Sequence, residues 1–177
     1  MDKPDLRSAS QDLVPFWPGT ANSRDLALAY MDIASRTHKE ADYRRAFAAL
    51  DKAVPEAGED PDVLSDLGYL NDMAGNPAKA VRLYERALSS DPQNMPALTN
   101  LGQHLATEGK ILSAIQLWQR AVKTDPGLAA PSLNLAYALL QQGNVPDARS
   151  AIENLLRFNP DSSKGLALKN QIDHASK

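Results

Sequence analysis

The 177-residue chain contains no cysteine, which excludes disulfides, thiolate metal sites and covalent haem attachment within it. It has no run of 18 apolar residues, and so no membrane-spanning helix is expected. The opening MDKPDLRSAS lacks the apolar centre of a signal peptide. As written, the chain reads as soluble and cytoplasmic; the same residues cut from a longer exported protein would be periplasmic. A basic excess is also missing. Nineteen Lys and Arg stand against 22 Asp and Glu, giving a net charge of −3, whereas a nucleic-acid surface needs the opposite balance.

Catalytic chemistry is equally short of material. His38, His104 and His174 are isolated, with no pair at metal-ligand spacing on one helix. Gly102 to Lys110 superficially suggests a phosphate loop. It has six residues between its glycines where four are needed, and Ile111 stands where a Ser or Thr should bind the metal. No G-x-S-x-G is present. The expectation is a protein without catalytic, metal or cofactor residues.

What the chain does contain is a repeat. Leu67-Gly68, Ala80, Ala87 and Asp91-Pro92 recur 34 residues later as Leu101-Gly102, Ala114, Ala121 and Asp125-Pro126. They recur again as Leu135-Ala136, Ala148, Leu155 and Asn159-Pro160. Stepping back 34 residues places Ile33-Ala34, Ala46 and Ala53 on the same marks. A constant period without gaps is the signature of a stacked helical array. These residues resemble the tetratricopeptide repeat (TPR) family over 27–162. The resemblance implies an all-α, right-handed α-α superhelix of four helix-turn-helix repeats, with a protein or peptide as partner.

In chain order, residues 1–22 hold Pro4, Pro15 and Pro18 around an apolar knot that includes Phe16 and Trp17, and they read as an extended arm. This arm either caps the first repeat or enters a binding groove. Residues 23–60 form a degenerate first repeat, with Ser23 or Asp25 as cap, a first helix to about Thr37 and a second from Tyr43 to Val54 that Pro55 should truncate. Repeats two to four span 61–94, 95–128 and 129–162. Gly75, Gly109 and Gly143 should close the first helix of each, and Pro92, Pro126 and Pro160 follow the second. Gly68, Gly102 and Ala136 are expected to face Ala80, Ala114 and Ala148 across each hairpin, and Trp118 to be core. Residues 163–177 lose the register and read as a capping helix covered inside by Leu166, Leu168 and Ile172.

In the family resembled, the first helix of each pair lines the inner surface, and its sixth position often carries asparagine. Here that position is Asp32, Asp66, Asn100 and Asn134. A carboxamide can donate to a peptide carbonyl and accept from a peptide N–H, and so hold an extended backbone. The alternative is that these side chains satisfy local helix contacts. The expected groove residues are Asp66, Tyr69, Asn100, Gln103, Asn134 and Tyr137. The inner positions run from acidic (Asp62, Asp66, Asp72) through polar (Thr99, Gln103, Thr107) to partly apolar (Leu133, Tyr137). A guest with a basic residue near repeat two and an apolar one near repeat four would fit. The family's carboxylate clamp is missing, because Met31, Ser35, Asp66, Pro96 and Asn100 occupy its basic slots.

Two further readings stand beside this one. Residues 1–94 carry 11 basic and 16 acidic groups against 8 and 6 in 95–177, which is either uneven solvated surface or the basis of a weak head-to-tail homo-oligomer. The lead-in LVPFWPG…RDLALAYMDIAS is similar to the entrance of TPR regions that follow multihaem cytochrome domains in some bacterial exported proteins. That resemblance implies an accessory domain of a redox protein.

Overall fold

A computed structural model describes residues 23–57 and 60–175. The arm with Phe16 and Trp17 lies outside them, as does the segment 13–22 of the cytochrome-like lead-in. So do the side chains of Ser23 and Asp25. The described residues form nine helices and no strand, falling into two units that divide after Gly58.

The first unit is a hairpin of α1 (Ser23–Thr37) and α2 (Glu40–Ala57). Met31, Ala34 and Ala46 are buried in it, and Ala34 and Ala46 admit no solvent. Its turn has two residues, and His38 takes the left-handed conformation at φ 53°. A residue with a Cβ holds that conformation at a cost of about 1–2 kcal/mol, which glycine avoids. Thr37 and Arg45 both bond the buried Asp42 carboxylate, at 2.7 and 3.0 Å, and brace the turn. Pro55 does not truncate α2, which begins three residues earlier than expected and runs to Ala57. In the last turn of a helix, proline forfeits one backbone hydrogen bond rather than a run of them.

The second unit holds α3 (Pro61–Met73), α4 (Pro77–Ser90), α5 (Met95–Thr107), α6 (Ile111–Thr124), α7 (Ala129–Gln141), α8 (Val145–Phe158) and α9 (Ser163–Ala175). Asp60 and Asn94 cap α3 and α5 by accepting from the first-turn amides of Val63 and Ala97, at 3.1 and 3.0 Å. Gly75, Gly109 and Gly143 end α3, α5 and α7 at φ 76°, 79° and 74°, where a Cβ would be strained.

Gly68, Gly102 and Ala136 are buried, as are Ala80, Ala114 and Ala148, and beside the two glycines stands a larger partner as well. A Cβ built on Gly68 would stand 2.5 Å from Tyr84 Cε1, and one on Gly102 would run into the Trp118 indole. The glycine therefore makes room for an aromatic ring one turn beyond Ala80 or Ala114. In the last hairpin the same two positions are Ala136 and Ile152, both fully buried. Where the large partner loses its ring, the small one regains its methyl.

The curvature of the second unit follows from which helices touch. The first helices of successive hairpins are in contact, α3 with α5 and α5 with α7, and α7 touches α9. The backbones of the second helices α4, α6 and α8 do not approach one another as closely. Closely spaced first helices and splayed second helices put α3, α5 and α7 on the inside of the curve. The terminal α9 packs on α7 and α8 through Leu168 and Ile172, which are fully buried. Leu166, expected to join them, is 46% exposed. The buried Gly165 lets the helix close on Leu156 instead.

Candidate functional site

The inner face of α3 and α5 carries a cleft of about 370 Å³. Met95, Pro96, Leu128 and the ring of Tyr69 supply its apolar walls, and Asp66 and Asn100 its polar groups. Tyr69 is 43% exposed, an unusual position for a large ring without a contact to make. Three of the six expected groove residues, Asp66, Tyr69 and Asn100, thus meet in one place. Gln103, Asn134 and Tyr137 do not line that cleft. Gln103 is exposed, Asn134 is half-buried, and Tyr137 is 47% exposed on α7. The walls Met95 and Leu128 had no signal in the sequence. Met95 opens α5 and Leu128 precedes α7, and only the stacking brings them beside Tyr69.

The acidic end of the face is smaller than its composition suggests. Asp72 faces inward into a chain of hydrogen bonds: the Tyr84 hydroxyl donates to its Oδ2 at 2.8 Å, and His104 Nε2 lies 2.8 Å from its Oδ1. The Asn100 amide donates to the same Tyr84 hydroxyl at 3.2 Å. Because a carboxylate can only accept, His104 carries its hydrogen on Nε2. Burial, and then the bond to Asp72, push the Tyr84 phenol far above its usual range. Asp62 accepts from Asn94 at 2.9 Å, tying repeat two to the cap of repeat three. Of the three aspartates expected at this end, only Asp66 lines the cleft. In the first unit, the sixth-position Asp32 is paired with Arg36.

Asn100 therefore makes a contact within the chain, one of the two alternatives the sequence left open. One amide hydrogen serves Tyr84, which leaves a second hydrogen and the carbonyl to be directed elsewhere. Thr99 and Thr107 are turned to their own helix, donating to Met95 O and Gln103 O at 2.9 Å each. Leu133, expected in the groove, is core at 9% exposure. Among the described residues no group of three or more His, Cys, Asp or Glu could hold a metal ion, and no helix is long and apolar enough to cross a membrane.

Two tetratricopeptide repeat models match the chain, one over 39–94 and 66–129 and the other over 105–172. The chain belongs to the tetratricopeptide repeat family. Among solved structures it is similar to PilF of Pseudomonas aeruginosa, at 21% identity and a TM-score of 0.70 over 88% of this chain and 71% of that one. It is similar to MamA of Desulfovibrio magneticus RS-1, at 18% identity and a TM-score of 0.63 over 86% of each chain. It is also similar to the first TPR of Spaghetti (RPAP3) bound to the HSP90 peptide SRMEEVD, at 19% and 0.59 over 66% of this chain and 93% of that one. At these identities the likeness is one of fold. No curated protein sequence matches the chain.

Proposed function

We propose that the protein is a non-catalytic interaction scaffold that holds an extended peptide segment against the inner face of α3, α5 and α7. The observation that carries this is the cleft of Asp66, Tyr69 and Asn100. It joins an apolar wall to a carboxylate and a carboxamide, the combination that suits the aliphatic stem and cationic tip of a Lys or Arg. A carboxylate has about four acceptor sites, so Asp66 can take such a cation alongside its contacts within the chain. Asn100 would bond the adjacent peptide group, and Tyr137 on α7 would offer a ring to an apolar residue further along the guest. A structure of this fold holding a peptide, the Spaghetti (RPAP3) complex, lends support in kind. No Lys or Arg lines the cleft here, so a guest rich in carboxylates is disfavoured.

Anisotropy titrations with two labelled peptides, identical except for Lys or Glu at the centre of an apolar run, test the reading. The Lys peptide should bind more tightly, and Asp66→Lys should weaken it at least about tenfold. Asn100→Ala should cost about threefold to tenfold, the worth of one hydrogen bond, with a thermal melt to separate this from loss of the Tyr84 bond. Equal affinity for both peptides, unchanged in the variants, would remove the proposal.

A further inference from the structure

The outer side of the second unit holds a different cleft, of about 490 Å³, between α6 and α8. The backbones of those two helices stand apart, and α7 forms the floor between them through Leu135 and Leu139. Val122 and Ala151 form apolar walls, and Lys123 and Arg157 stand at the rim. Neither cation is engaged in an ion pair among the described residues, and both are exposed. The single carboxylate lining the cleft, Asp147, accepts from Asn144 at 2.7 Å. Phe158, 58% exposed, adds a ring at the edge.

The sequence explains why the cleft is open here. One repeat earlier, the positions of Ala151 and Asn154 are held by Leu117 and Arg120. Leu117 is half-buried, and the Arg120 guanidinium donates to Pro92 O on the α4 side, bridging the corresponding gap. Replacing both with shorter side chains removes the filling and the bridge together. What is left is an apolar trough edged by two unpaired cations.

We infer that this outer cleft docks an acidic partner segment whose bulky apolar side chain enters between α6 and α8 while its carboxylates meet Lys123 and Arg157. The charge complementarity is opposite to that of the inner cleft, so one molecule can hold two guests of opposite sign on its two faces. The inference stands independently of the peptide proposed for the inner face.

The probe is a labelled peptide carrying Phe flanked by Asp and Glu, titrated against the whole chain at two salt concentrations. Binding should weaken as salt rises. The double variant Lys123→Glu, Arg157→Glu should weaken it at least about tenfold, and Asp66→Lys should leave it unchanged. A second pair, Ala151→Leu with Asn154→Arg, copies the filled gap of the preceding repeat and adds positive charge. It should abolish binding, with circular dichroism to confirm the fold; should the pair not fold, the rim reversal decides by itself. Affinity unchanged by the rim reversal overturns the inference. So does affinity lost in Asp66→Lys alone, which would place the peptide on the inner face. A third overturning result is sedimentation in which rim reversal dissociates an oligomer of the chain while the peptide never binds, since the occupant would then be a second copy.

Discussion

Gly68→Ala is the sharpest test of how the hairpins are packed. The new methyl would stand 2.5, 2.8 and 2.9 Å from three atoms of the Tyr84 ring, distances that real Cβ atoms do not tolerate. The ring cannot simply swing away, because its hydroxyl is bonded to Asp72 at 2.8 Å and Asn100 at 3.2 Å. Overpacking of this kind costs about 1–3 kcal/mol, and losing one of those bonds adds about 1 kcal/mol. Against this, alanine in a helix gains about 1 kcal/mol over glycine. The net expectation is destabilisation by about 1–3 kcal/mol. In a Tyr84→Ile background, which reproduces the pairing of Ala136 with Ile152, the same substitution should be neutral or stabilising. Urea unfolding followed by circular dichroism measures all four corners of the cycle, with coincident transitions by fluorescence checking that a single transition is being read. If Gly68→Ala costs the same in the Tyr84→Ile background as in the parent chain, the exchange of volume between the two positions is not what the repeats are built on.

Two pH dependences follow from the same structure. The Tyr84 phenol is raised above its unfolded value of about 10, so its contribution to stability is complete below that pH and is lost as pH climbs toward the folded value. An ultraviolet titration should show one tyrosine ionising only as the protein unfolds in alkali, and Asp72→Asn should bring that transition to lower pH. The Asp173 carboxyl is held below its ordinary range, first by the hydrogen bond from Lys169 and then by that from Arg149, which ties α9 to α8. Its contribution is present above about pH 4 and is lost as pH falls through the depressed value. Protection of the α9 amides against exchange should therefore fall in acid before that of α5 or α6, and Asp173→Asn should remove that pH dependence.

The helices themselves were legible because each is specified by neighbours in the chain. Glycine at the left-handed turn and proline after the second helix act within a few residues of where they sit. The departures came where a local rule met a local exception. Pro55 lies close enough to the end of α2 to be absorbed, and Gly165 turns Leu166 outward while Leu168 and Ile172 go in.

The candidate sites were legible only in part, for a reason of distance. The family resemblance, carried through the register of the repeats, put Asp66, Tyr69 and Asn100 on the inner surface, since that depends on spacing within a helix and on the constant step between helices. It could not say that Asp72 is taken up by His104, 32 residues on, or that Asn94 reaches back to Asp62 over the same interval. The walls Met95 and Leu128, and the trough left where Ala151 and Asn154 replace larger side chains, likewise exist only between elements. By itself the sequence determined the repeat, its turns and its small residues, because backbone conformation answers to near neighbours. Which polar groups bond one another, and where the surface opens, was decided by stacking, because hydrogen bonds and voids belong to whichever helices are brought side by side.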